Sequence, residues 1–138
     1  MHPRISEQIV MLYYANFEAA TRFYGETLGL EPKLLEPWVN IYSCAERCSI
    51  GVLRAGATGV YHQAQERNAV MVSIVTDDVE AWYRRLRGAT GVKFLKDIHD
   101  SSAIPIRTFL VEDPGGYALE FFQWREGSRL DAERERKP

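Results

Sequence analysis

The chain has 138 residues, of which 46% are hydrophobic and 26% charged. That length buries a real core without disulfide or metal staples, and it leaves no room for a multidomain machine. Seventeen basic against nineteen acidic residues give a formal charge of −2, so the chain lacks the overall basic surplus of a nucleic-acid backbone binder.

Gln8 to Tyr14 is a β-branched and aromatic run that reads as a strand. Asn16 then offers an N-cap to a helix carrying Phe17, Ala20, Tyr24 and Leu28 at helical spacing, closed by Gly29. Three short strands are predicted next, over Lys33–Leu35, Trp38–Ser43 and Cys48–Leu53. Cys44 and Cys48 flank the turn between the last two. They are too few for a disulfide framework, their spacing is not the redox Cys-x2-Cys, and they read as inert thiols. Ala55 to Asn68 has no periodicity and reads as a connector.

The pattern then restarts. Ala69–Val75 is a strand, and Asp77 or Asp78 caps a helix with Val79, Trp82, Tyr83 and Leu86 on one stripe. Asp77 and Glu80 have the spacing of a capping box. Gly91 ends that helix, and Arg84, Arg85 and Arg87 read as its solvated face. Strands Val92–Leu95, Ile104–Val111 and Tyr117–Trp124 follow, with Asp97-Ile98-His99-Asp100 expected in a hairpin loop. Asp113-Pro114-Gly115-Gly116 is a strong turn between the last two strands. Arg125 to Pro138 is a charged tail, read as disordered or as a short helix from Ser128 that docks on a partner subunit.

Displaced by 62 residues, Asn16 meets Asp78, Phe17 meets Val79, Glu18 meets Glu80 and Gly29 meets Gly91 without a gap. The order strand–helix–strand–strand–strand is thus written twice. It predicts an α+β fold of two tandem βαβββ modules, forming curved mixed sheets around a cavity. Module one covers 8–54, the connector 55–68 and module two 69–124. No apolar run reaches the roughly 18–20 residues of a membrane span, and the first residues lack the apolar stretch of a secretory signal. A soluble cytoplasmic protein is the expectation.

Asn16-Phe17-Glu18-Ala19-Ala20-Thr21-Arg22-Phe23-Tyr24 runs into Leu28-Gly29-Leu30. Val111-Glu112-Asp113-Pro114-Gly115-Gly116-Tyr117-Ala118-Leu119-Glu120-Phe121 forms a turn entering a strand that carries a glutamate. Both stretches resemble the vicinal oxygen chelate superfamily, which includes glyoxalase I, bleomycin-resistance proteins and extradiol dioxygenases. The resemblance spans about residues 8–124. It implies the βαβββ fold, a homodimer, and either a metal-dependent enzyme or a metal-free binding protein.

Family enzymes hold a divalent metal with ligands from the first and last strand of each module. Here those positions fall on Ile9 and Met71, on Gly51 or Ser49, and on Glu120. Isoleucine and glycine offer no donor, and a thioether is a poor ligand for hard or borderline cations. One carboxylate does not hold a metal, so no metal or other cofactor is expected. His2, His62 and His99 read as surface residues at the terminus, in the connector and in a loop.

Alternation along strands sends Met11 and Tyr13, Trp38, Asn40 and Tyr42, Met71 and Ser73, and Glu120, Phe122 and Trp124 to the face away from the helices. Such a wall suits a flat or greasy organic ligand, with Glu120, Arg107, Asn40 and Ser73 as polar anchors. The same composition suits a plain core or a dimer interface. The resemblance, whose members keep a cavity at this face, favours the ligand.

Glu120 is the single catalytic candidate. An apolar surrounding would make it an acid–base group, whereas pairing with Arg107 would make it structural. The leading expectation is metal-independent sequestration or carriage of a small hydrophobic or aromatic molecule. The alternative is a lyase, isomerase or dioxygenase using a divalent metal or Glu120.

Overall fold

The structure, a computed structural model, describes residues 2–125. The expectations for the tail beyond Arg125 lie outside the described residues. In chain order the elements are β1 (Gln8–Tyr14), α1 (Phe17–Arg22), a π-helical turn (Phe23–Thr27), β2 (Glu31–Leu35), β3 (Val39–Ala45) and β4 (Cys48–Arg54). The second series is β5 (Met71–Val75), α2 (Val79–Gly88), β6 (Lys93–Asp100), β7 (Ile106–Glu112) and β8 (Ala118–Trp124). The described strands form two four-stranded sheets of the same order, β1-β4-β3-β2 and β5-β8-β7-β6. In each the first strand lies parallel to the last, and the other pairings are antiparallel. The α+β architecture of two tandem βαβββ modules is the one the repeated pattern predicts.

The repeat is visible atom by atom at the helix starts. The Asn16 side chain accepts a hydrogen bond from Ala19 N at 3.0 Å, and Asp78 accepts one from Ala81 N at 3.1 Å. Each satisfies an N–H that the first helical turn leaves without a partner. Asp78, rather than Asp77, is therefore the cap. α2 stops at Gly88, earlier than Gly91; Gly91 serves instead in the following turn, with φ 80°, as Gly29 does with φ 69°.

The first unit comprises the chain up to Asn68 together with Pro114–Gly116. Its core lies between α1 and one face of its sheet, where Leu12, Tyr14, Ala20, Tyr24, Leu28, Ile50 and Val52 are almost wholly buried. Burying each large apolar side chain contributes on the order of 1.5–3 kcal/mol. The π-helical turn, which helical spacing does not foretell, contains Gly25. A Cβ there would stand 3.2 Å from Tyr42, so glycine is what lets the Tyr42 ring close against the turn and stack on Tyr24.

The second unit takes Ala69–Asp113 and, among the described residues, 117–125. Its core is an aromatic stack: Phe109 and Phe121 lie parallel with centroids 5.2 Å apart, covered by Trp82 and Tyr83 from α2. Arg84, Arg85 and Arg87 are exposed, as expected of a solvated face, and Arg87 also makes specific contacts. Its guanidinium sits 3.8 Å over the Phe94 ring and pairs with Asp97, which also accepts a short hydrogen bond from Tyr83. The residues 97–100 belong to β6 rather than to a loop. Register shifts between Phe94 and Lys96, and again between Lys96 and His99, break the alternation by which a strand is recognised.

The connector is latched to the β7–β8 turn within the first unit. Asn68 Nδ2 donates to Gln65 O at 3.2 Å and to Gly115 O at 2.7 Å, while Asn68 N donates to Gly116 O at 3.3 Å. Gly116 has φ 80°, and a Cβ there would overlap the Glu66 carbonyl oxygen. Backbone cannot swing aside as a side chain can. Gly116→Ala should therefore cost at least ~2 kcal/mol in urea denaturation, combining left-handed strain with the clash. At Gly51 the atom in the way is the flexible Met11 Sδ, so Gly51→Ala should cost less than half as much.

Candidate functional site

Parallel pairing sets which side chains meet on the face away from the helix. In the second unit Ser73 is the register partner of Glu120 on β8, and Glu120 is that of Leu110 on β7. Met71, Ser73 and Val75 share this open face with Ala118, Glu120, Phe122 and Trp124, and with Thr108 and Leu110 from β7. At its centre Glu120 accepts two hydroxyl hydrogen bonds, from Ser73 Oγ to Oε1 at 2.9 Å and from Thr108 Oγ1 to Oε2 at 3.0 Å. Thr108 is 4% exposed, a nearly buried anchor. Phe122 and Trp124 stand edge to face with centroids 5.1 Å apart. The cluster is a carboxylate held at both oxygens and set in apolar surroundings.

The equivalent place in the first unit has opposite chemistry. Met11 pairs in register with Gly51, where the second unit has Ser73 and Glu120. Met11 Sδ occupies the space a side chain at Gly51 would need. Ile9, Met11 and Tyr13 share this face with Ser49, Gly51 and Leu53.

Several sequence expectations need correction. Asn40 and Tyr42 do not reach the open face. Asn40 Nδ2 donates to Thr21 Oγ1 at 3.1 Å, its Oδ1 accepts from Glu36 N, and Tyr42 OH donates to the Thr21 carbonyl. The polar groups of α1 offer them partners, so hydrogen bonding outweighs the preference of Val39 and Ile41 for the helix side. Burial raises the Tyr42 phenol above its ordinary range. Trp38 precedes β3 and is 46% exposed.

Arg107 also turns to the helix face. It pairs with Glu80 on α2 at 2.5 Å and with Asp100 at 3.2 Å, not with Glu120, and these bonds raise its already high pKa, the Glu80 bond most. Thr108, which the sequence reading left out, is the second support of Glu120. Its signal was its place beside Arg107: one of two neighbours on a strand must face away from the helix.

Histidine placement also differs in part. His99 lies in β6 beside Thr108, and its Nδ1 is 2.8 Å from the Asp97 carbonyl. His62 packs edge-on against Tyr13, centroids 5.0 Å apart. Asp97 titrates below the ordinary carboxylate range because Tyr83 and then Arg87 donate to it.

A divalent metal needs several converging N, O or S donors. Among the described residues no three His, Cys, Asp or Glu side chains form such a group. The residues at the paired strand positions, Met11 with Gly51 and Ser73 with Glu120, supply one carboxylate and do not fit a metal.

A separate cavity of about 340 Å³ lies in the first unit at the end of β1, lined by Tyr13, Asn16, Gln65, Glu66, Pro114 and Gly115 among others. It is large enough for a small molecule, and Asn16, Gln65 and Glu66 put polar groups on its wall. The Ser73–Glu120–Thr108 cluster, with both carboxylate oxygens engaged, is the stronger candidate.

Cys44 is pushed up to about 11, chiefly by burial and then by the neighbouring Cys48. Only the thiolate is nucleophilic. Iodoacetamide at pH 8 should therefore label Cys48 first, and Cys44 labelling should rise about tenfold per pH unit from pH 8 to 10, read by peptide mass spectrometry.

The sequence model of the Glyoxalase/Bleomycin resistance protein/Dioxygenase superfamily matches residues 8–121. No curated protein sequence matches the chain. Among solved structures, a glyoxalase/bleomycin resistance protein/dioxygenase from Nocardioides is 23% identical, with TM-score 0.73, over 93% of this chain and 89% of that one. TioX from Micromonospora sp. ML1 is 21% identical with TM-score 0.71, over 86% and 98%. A lactoylglutathione lyase from Agrobacterium tumefaciens is 21% identical with TM-score 0.68, over 88% and 96%. At these identities the structures establish a shared fold and no shared activity. The match to the family model covers most of the chain, which therefore belongs to this superfamily.

Proposed function

We propose that this superfamily member binds a small hydrophobic or aromatic molecule without a metal, on the open face of the second sheet, to sequester or carry it. The observation that carries the reading is Glu120, fixed by two hydroxyl donors and flanked on the same face by Met71, Val75, Phe122 and Trp124. Apolar walls supply affinity, and a few convergent polar atoms supply orientation. Met71 and Val75 are 53% and 49% exposed, so this apolar surface is open to a ligand.

Support for metal independence comes from the donor set. A superfamily enzyme needs donors from both modules, and Met11 with Gly51 provides no carboxylate or imidazole. Glu120, Ser73 and Thr108 make a hydrogen-bonding anchor with mixed acceptor and donor character, which suits a polar group on an organic molecule.

Protein purified without chelator should contain less than about a tenth of an equivalent of divalent metal. Adding Ni, Zn, Mn or Fe(II) should leave the thermal midpoint unchanged, because a cation bound to the folded state would raise it. Near one equivalent, lost in Glu120→Ala, would overturn the proposal and put the metal-dependent reading in its place.

A further inference from the structure

The charge balance around Glu120 narrows the class of ligand, an inference that rests on the reading of this face as a binding site. A carboxylate offers about four acceptor positions. Ser73 and Thr108 use one on each oxygen, at 2.9 and 3.0 Å, and leave the others open. Neither hydroxyl carries charge.

No described lysine or arginine forms an ion pair with Glu120. Arg107, on the adjacent strand, points to the opposite face and is engaged by Glu80 and Asp100. The register of β6 puts Lys96 opposite Leu110, which is itself opposite Glu120, so this lysine stands two strands away. The Glu120 carboxylate is thus held in place by hydrogen bonds and, among the described residues, forms no ion pair.

Two residues beyond Glu120 on the same face is Phe122, only 9% exposed, with the more open Trp124 after it in edge-to-face contact. Aromatic faces attract cations through their quadrupole, and more strongly as water is excluded. A carboxylate with open acceptor positions beside two aromatic rings favours a positive group attached to an apolar body. An anion would be repelled, and a neutral donor would leave the charge uncompensated.

The geometry points to a monovalent organic cation as ligand: an ammonium or amidinium group on Glu120, with its hydrocarbon or aryl part against Phe122 and Trp124. An inorganic divalent ion would demand further oxygen or nitrogen donors that the cluster lacks.

The test uses three probes of one shape, 1-naphthylmethylamine, 1-naphthylmethanol and 1-naphthoate, titrated calorimetrically at pH 7 into the full chain. The amine should bind about tenfold tighter than the alcohol, as a charge-assisted hydrogen bond provides, and the carboxylate should bind weakest. In Glu120→Gln the amine and alcohol should become equal within about threefold, because the amide keeps the shape and removes the charge.

Equal binding of amine and alcohol to the wild-type chain would overturn the cation inference and leave the binding function standing. A preference for the amine that survives in Glu120→Gln would also overturn it, by locating the charge elsewhere. If none of the three probes binds, the proposed function itself fails. A second measurement needs no variant. Carbodiimide activation with the amine present should form an amide bond between the probe nitrogen and Glu120, with the carbodiimide leaving as its urea. Peptide mass spectrometry should place the label at Glu120; labels spread over other carboxylates would overturn the inference.

Discussion

Parallel pairing of the first strand with the last is the constraint on which the rest of each unit depends. It is the pairing that a hairpin cannot make, so each unit must send its chain across a helix and through two further strands before the last strand returns beside the first. The helix covers one face of the sheet and leaves the other uncovered by its own unit's helix. The return places side chains from distant parts of the sequence in register, Met11 with Gly51 and Ser73 with Glu120. The pairing thus brings together on the open face residues whose spacing in sequence is set by the intervening helix and strands.

The two units use this common geometry differently. In the first, the thioether of Met11 fills the space beside a glycine, and the position is apolar. In the second, a serine and a threonine hold a carboxylate from both sides. The duplicated pattern is thus symmetric in backbone and asymmetric in chemistry. The helix face shows the reverse economy: polar groups such as Asn40, Tyr42 and Arg107 are drawn there because each finds a partner on α1 or α2.

Much of the fold was legible because its signals are local. β1 is found at its predicted ends, Asn16 and Asp78 cap the helices, and the Asp113–Gly116 turn lies between the last two strands. In that turn, Tyr117 N donates to Asp113 Oδ1. What was not legible depends on partners elsewhere in the chain. The facing of Asn40 and Tyr42 is decided by Thr21, and in the π-helical turn Gly25 leaves room for the Tyr42 ring. The extension of β6 is hidden by two register shifts. For the candidate site, alternation puts Ser73 and Glu120 on one face of their sheet, and their register pairing agrees. Thr108 is not conspicuous in the sequence, because Arg107 beside it is the charged residue of that run, and the partners that turn Arg107 to the helix face, Glu80 and Asp100, lie on other elements.

The latch between Asn68 and the β7–β8 turn bears on how the duplicated pattern can be divided. Pro114–Gly116 lie between two strands of the second unit in sequence but pack as part of the first. The Asn68 side chain reaches Gly115 O, and Gly116 fits closely against the Glu66 carbonyl. The first half of the sequence is thus an incomplete account of its own unit, and the second half carries three residues that belong to the other. A chain severed between Asn68 and Ala69 would leave the first fragment missing three residues that only the second fragment encodes. The repeat is modular as a pattern, but its halves are not interchangeable parts.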